Sequence, residues 1–312
     1  MFSSVALCTY NGAKYIESQL RSILEQTVPV GEVVVCDDGS TDGTVEIIKA
    51  ISKQTEIPIS IYINNPNLGV CANFDKAIKL CKGDLIFLSD QDDIWMPNKV
   101  ETVQRWFEDH PEKEAVYTDA VFMDSEGNAI YPSESVFSLL GMTPLARKWF
   151  EKGFALELFM KTNRAVGATM AIRSSLVGNY RLDYTATSSN FRPLHDFLLA
   201  TSAIERESLG FIDKSLIKYR LHNGQNCGLE YYLQHPARFD DIYDRKYGWT
   251  VIGNYLTRRK YIRRWEMTCR RVFRTADSWR YVLSCIKDLP NYIFVYQLRG
   301  LKMFVNDLLS VS

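Results

Sequence analysis

Four short apolar runs, each closed by a polar loop, leave the first 95 residues of this chain few ways to fold. The runs span residues 4–9, 31–36, 57–63 and 85–88. Amphipathic stretches lie between them. Residues 13–25 bring Tyr15, Ile16, Leu20, Ile23 and Leu24 onto one face at helical spacing. Residues 44–53 and 73–81 also read as helices, and Gly83 ends the second of them. Strand alternating with helix calls for a mostly parallel sheet flanked by helices, an α/β fold. Ligands of such sheets bind beyond the carboxyl ends of the strands. The polar loops fall at those ends: Thr9-Tyr10-Asn11-Gly12, Asp37-Asp38-Gly39-Ser40, residues 64–69 and residues 89–93. One sheet edge therefore collects four polar loops.

The pattern loosens afterwards. Residues 116–120 read as a strand, 141–162 as mixed helix, 167–172 as a further apolar run, 195–203 as a helix and 215–219 as a short strand. Residues 223–228 form a loop, and beyond Tyr231 the sequence is helical and dense in Arg and aromatics. The 312 residues are long for one domain and short for two. They divide into an α/β domain over residues 1–230 and a helical C-terminal extension over residues 231–312.

Net charge is zero but unevenly spread: residues 1–230 hold 22 Lys and Arg against 30 Asp and Glu, residues 231–312 hold 15 against 7. Arg258, Arg259, Lys260, Arg263 and Arg264 interleave with Tyr255, Tyr261 and Trp265. Basic amphipathic helices of this kind suit an anionic membrane surface. The alternative is packing on the first domain or on a second copy as a homodimer. No nucleic-acid-binding fold accompanies the patch, so nucleic acid is not an expected partner. The seven cysteines form no CxxC pair and read as reduced structural thiols, as in the cytosol. No signal-peptide pattern opens the chain, and no window reaches the roughly 18 apolar residues of a membrane span. The chain reads as soluble or peripheral.

Asp90-Gln91-Asp92-Asp93 follows the fourth apolar run directly. Three carboxylates this close repel one another, and a hard divalent cation such as Mg²⁺ or Mn²⁺ relieves the repulsion. The plainer alternative is a solvated acidic turn. Asp37 and Asp38 stand where a base or ribose is hydrogen-bonded in sheets of this type. Ser40 or Thr41 is placed to cap the next helix, and Asp42-Gly43 makes a good turn.

The strings VALCTYNGAKYI, VVVCDDGSTDGT, NPNLGVCANFDKAI and GDLIFLSDQDDIW together resemble the family 2 glycosyltransferases of the GT-A fold. The resemblance is strong over residues 3–120 and weaker over residues 160–228. SDQDDIW is especially similar to bacterial transferases that build rhamnose-containing polysaccharides. The resemblance implies a Rossmann-like sheet whose nucleotide-sugar half is about residues 1–120 and whose acceptor half is about residues 121–230. It implies donor contacts from Thr9, Tyr10, Asn11, Asp37, Asp38, Asn67, Gly69, Asp90 and Arg220. It implies Mn²⁺ or Mg²⁺ held by Asp90 and Asp92, with His222 completing the shell. It implies acceptor contacts from Gly167, Ala168, Thr169, His195, Asp93 and Trp95. Asp196, in a segment similar to the family's acidic helix start, is the implied general base of an inverting transfer; its alternative is a helix N-terminal carboxylate stabilised by the dipole. Many relatives carry an Arg in the stretch matching residues 71–73, and this chain has none there.

The implied donor is dTDP-rhamnose, or otherwise a UDP-hexose. The implied acceptor is a saccharide or a lipid-linked saccharide, in the cytoplasm or at the inner face of the cell membrane. Two other readings share parts of the pattern. A haloacid-dehalogenase-type phosphatase also sets DxD after a buried strand, though near its N-terminus. An inactive nucleotide-sugar-binding subunit would keep the loops without the chemistry.

Overall fold

The computed structural model describes residues 1–151, 153, 155–161, 163–178, 194–222 and 225. Apart from Met160 and Lys161, all of them belong to one unit, residues 1–159 with 163–230. The extension expected over residues 231–312, and most of the loop at 223–228, lie outside the described residues.

The chain runs β1 (Ser3–Thr9), α1 (Ile16–Leu24), β2 (Glu32–Asp37), α2 (Thr44–Ser52), β3 (Ile59–Ile63), α3 (Val70–Leu80), β4 (Leu85–Ser89), β5 (Ile94–Trp95) and α4 (Lys99–Asp109). It continues as β6 (Ala115–Met123), β7 (Ala129–Ser135), α5 (Val136–Leu139), α6 (Pro144–Glu151) and α7 (Ala155–Lys161). After a 3-10 turn at Gly167–Thr169 come β8 (Met170–Arg173), α8 (Ser174–Val177), α9 (His195–Glu205) and β9 (Leu209–Arg220).

One sheet holds the strands in the order β3-β2-β1-β4-β8-β6-β9-β5, with β7 beside β6. The parallel pairing expected from the sequence holds for β3, β2, β1 and β4. Beyond β4 the sheet is mixed. The strand β8 is antiparallel to both β4 and β6, β9 is parallel to β6, and β5 is antiparallel to β9. Every residue of β1, β2 and β4 is buried. Strands covered on both faces read as unbroken apolar runs, which is why these three were visible in the sequence.

Boundaries moved where glycine or a special backbone intervenes. The helix α1 starts at Ile16, not at 13, because Asn11 sits at φ 48° and the Tyr15 and Ile16 amides close a turn on the Gly12 carbonyl. The helix α3 starts at Val70, before the expected 73, because Gly69 at φ 80° sets its first turn. The run at 167–172 is not one strand but a turn followed by β8. Tyr117 of β6 anchors an aromatic nest with Phe137, Phe150 and Phe159 at 5.5, 6.2 and 5.8 Å between ring centroids. Burying each such ring contributes about 1.5–3 kcal/mol. Cys8, Cys36 and Cys81 are free thiols. Among the described residues no helix is long and apolar enough to cross a membrane.

Candidate active site

The ends of β1 and β2 are tied together by Asp37. Its carboxylate accepts from the Thr9 hydroxyl (2.7 Å), the Ser40 hydroxyl (2.5 Å) and the Gly39 and Ser40 amides (3.1 and 2.8 Å). Ser40 in turn accepts from the Asn11 amide at 2.8 Å, and Asn11 Oδ1 accepts from the Thr41 amide at 2.9 Å. Neither Ser40 nor Thr41 caps α2, which corrects the capping expected from the sequence. Asp42 accepts from the Thr44 amide and hydroxyl instead, at 3.1 and 2.5 Å. Asp38 organises the third loop. Its carboxylate accepts from the Asn64 amide nitrogen and the Leu68 and Gly69 backbone amides, each at 2.8 Å, and Asn67 Nδ2 donates to its carbonyl at 2.9 Å. Tyr10 stands out from this frame with 41% of its surface exposed.

The acidic loop is docked onto the first loop through Gln91. Its Oε1 accepts from the Tyr10 amide at 2.8 Å and its Nε2 donates to the Tyr10 carbonyl at 3.1 Å. A Cβ at position 12 would meet Gln91 Oε1 at 2.2 Å, so this close approach requires glycine there. Asp90 is pushed up to about 7 by burial and by the charges of Asp92 and Asp196, with Lys99 opposing; no hydrogen bond contributes. Burial pushes Asp93 well up too, and its Oδ2 is buried without a partner. Its Oδ1 accepts from the Arg220 amide at 3.0 Å. His222 Nε2 lies 2.9 Å from Asp92 Oδ2. The Arg220 guanidinium donates to the Asp92, Asp124 and Ser125 carbonyls and lies 4.6 Å from the Tyr15 ring centroid. Arg220 thus ties the acidic loop to the loop at Asp124 and Ser125.

Across from the acidic loop, Asp196 lies in the first turn of α9. Its carboxylate accepts from the Phe197 amide at 2.6 Å and the Gly167 amide at 3.2 Å. Burial pushes it up to about 6 against these bonds. His195 is 5% exposed, stacks on Phe74 at 3.8 Å, and is pushed down to about 3 by burial, so the imidazole is neutral. A Cβ at position 167 would meet His195 Nε2 at 2.6 Å. Glycine at 167 therefore lets the backbone reach Asp196. His195, Ala168, Thr169 and Trp95, expected to meet an acceptor, are all buried.

Sequence reading placed Gln91 and Asn64 in the polar loops without a role of their own, and gave no site role to Tyr15 or Lys99. Tyr15 and Lys99 were hidden in amphipathic stretches, where an aromatic or a lysine carries no chemical signal. Among the described residues no three His, Cys, Asp or Glu side chains close around a metal position. Mg²⁺ and Mn²⁺ need no such cage when phosphate oxygens complete the shell. Mutually repelling Asp90 and Asp92, with the unpartnered Asp93 Oδ2 behind them, fit an open site of that kind.

A parallel half-sheet ending in hydrogen-bonded polar loops, an acidic loop and a mixed second half together define the GT-A class of glycosyltransferase fold. Residues 4–180 match the profile of "Glycosyl transferase family 2", and the chain belongs to that family. Among curated proteins it is similar to the chondroitin synthase of Escherichia coli. The two are 35% identical over 127 residues, which cover 41% of this chain and 18% of the synthase. Among solved structures it is similar in fold to S. aureus TarS 1-349 in complex with UDP-GlcNAc, with a TM-score of 0.53, 20% identity, and 72% and 60% of the two chains covered. It also resembles the mannosyltransferase PcManGT from Pyrobaculum calidifontis in complex with GDP-Man and Mn²⁺. There the TM-score is 0.50, identity is 18%, and 77% and 63% of the chains are covered. The chain thus spans about a fifth of the synthase and under two thirds of either solved chain.

Proposed function

We propose that this chain is an inverting glycosyltransferase that moves a sugar from a nucleoside diphosphate to a saccharide or lipid-linked acceptor in surface polysaccharide synthesis. One observation carries the reading. Asp196, buried and raised to about 6, acts by its charge on Asp90 of the acidic loop, so a base and an anion-balancing centre face one reaction space.

The frame of Thr9, Asn11, Asp37 and Asp38 holds the nucleoside, with Tyr10, Asn67 and Gly69 at its rim. Asp90, Asp92 and His222 would hold Mn²⁺ or Mg²⁺, which when bound would offset the charge developing on the departing diphosphate. Asp196 takes the proton from the acceptor hydroxyl as that oxygen bonds to the anomeric carbon and the bond to the diphosphate breaks. The hydrogen bonds from the Gly167 and Phe197 amides hold the carboxylate in place. Rhamnose from dTDP is the first donor to try, on the likeness of SDQDDIW, and UDP-hexoses follow. The basic excess of residues 231–312 supports work at the inner face of the cell membrane, where lipid-linked acceptors lie.

The test is release of nucleoside diphosphate from a nucleotide-sugar panel with Mn²⁺ and candidate acceptors. Asp92→Asn is expected to lose metal-dependent donor binding by at least tenfold. Asp196→Asn is expected to keep donor binding while transfer falls by about 10²–10⁴-fold. Normal transfer by Asp196→Asn would remove it as the base.

A further inference from the structure

The buried face of α1 is not wholly apolar. Gln19 lies on it beside Leu20 and Ile23 and is 0% exposed. Ser22 follows one turn later, and Gln26 just beyond the helix. A buried amide is costly unless it is hydrogen-bonded. All three side chains are directed at one stretch of chain, which runs from the end of β4 through the acidic loop into α4. Gln19 Nε2 donates to the Ser89 hydroxyl at 2.6 Å, and that hydroxyl donates to the Asp90 carbonyl at 3.0 Å. The Ser22 hydroxyl accepts from the Trp95 amide at 3.0 Å. Gln26 donates to the Met96 carbonyl at 2.9 Å and accepts from the Val100 amide at 3.0 Å. The direction of the first bond matters. Because the Gln19 amide donates, the Ser89 hydroxyl keeps its own proton for Asp90. The first turn of α1 is itself tied to the loop at Gly12, whose carbonyl accepts from the Tyr15 and Ile16 amides.

We propose that Gln19 is a positioning residue for the acidic loop: through Ser89 it fixes the Asp90 backbone, so that the Asp90 carboxylate stands preset for a divalent cation. The inference rests on the reading of that loop as a cation site. Ser22 and Gln26 hold the chain after the carboxylates, Gln91 holds the middle of the loop on Tyr10, and Gln19 holds its start. Losing an outer hydrogen bond that orients a metal ligand typically weakens metal binding by about 10–100-fold.

The experiment titrates Mn²⁺ alone into the full chain and reads free Mn²⁺ by electron paramagnetic resonance. Gln19→Leu puts an apolar side chain of similar size in place of the amide, and is expected to bind Mn²⁺ roughly tenfold more weakly. Ser89→Ala breaks the same chain of hydrogen bonds at its other end. It is expected to weaken binding to the same degree, with the double variant no weaker than either. Ile51→Ala, on the buried face of α2, separates positioning from a general loss of stability. It is expected to lower Tm while keeping the parent's Mn²⁺ affinity. Parent-like affinity in Gln19→Leu overturns the proposal, as do additive losses in the double variant or an equal loss in Ile51→Ala. If Gln19→Leu melts too low for a titration, Ser89→Ala carries the comparison, and parent-like affinity there overturns it. Mn²⁺ binding by the parent that neither variant alters leaves the cation site standing and removes only the role of Gln19. Absence of Mn²⁺ binding by the parent overturns both.

Discussion

At the residue scale, Asp196 joins chemistry to stability. Its folded value of about 6 lies above the ordinary 3.8. The fold therefore favours the protonated form. The associated stability is fully present below about pH 4 and is lost as pH rises through about 6. The loss is on the order of 3 kcal/mol, since each pH unit is worth about 1.4 kcal/mol. Asp196→Asn cannot titrate. Relative to the parent, its unfolding free energy is expected to rise by roughly 2–3 kcal/mol between pH 4 and pH 7, read from denaturant melts at both ends. As the proposed base, the same group should also set the rate. For the parent, kcat/KM is expected to climb through about pH 6 and level above it. A profile flat from pH 5 to pH 8 would count against Asp196 as the base. Asp37, by contrast, spends its oxygens inside the protein, on Thr9, Gly39 and Ser40. The sequence marked it as polar at a strand end, and could not show that its polarity is used for holding loops.

At the element scale, the loops behave as coupled parts. Gln91 binds both backbone groups of Tyr10, and Gly12 leaves room for it. Gly12→Ala would drive the Gln91 amide away, and Gln91→Ala would remove it. Each is expected to weaken nucleotide binding about three- to tenfold, and the double variant no further. That non-additivity, measured by calorimetry in a double-mutant cycle, marks contact between the two loops. Additive losses would show that the loops act separately. Strands buried on both faces and helices with one apolar stripe were legible from spacing alone. The later elements were less so. The strand β9 runs from Leu209 to Arg220, more than twice the length that 215–219 indicated, because exposed Asp213 and Lys214 interrupt its apolar pattern. The strand β5 has two residues and exists through its pairing with β9, which no local pattern announces. Gln91 and Lys99 acquire their meaning only from partners 81 and 69 residues away.

At the scale of the whole molecule, charge is segregated, with the basic excess in residues 231–312. The full chain is expected to cosediment with vesicles containing anionic lipid and not with neutral ones, and to lose that binding as salt rises. Replacing Arg263 and Arg264 by Glu should cut the bound fraction by more than half. Equal binding to neutral vesicles would dismiss an electrostatic origin. The sheet order has a separate consequence for synthesis. The strands β1 to β4 pair among themselves, so a parallel half-sheet can form once the chain has emerged through Ser89. The outer edge of β4 is then covered only by β8, at Met170–Arg173. For some 80 residues of elongation a mostly apolar strand edge stands open, the kind of surface on which nascent chains pair with one another. A four-residue strand is thus the lid on this protein's aggregation risk, and shielding by chaperones matters most in the interval before it is made.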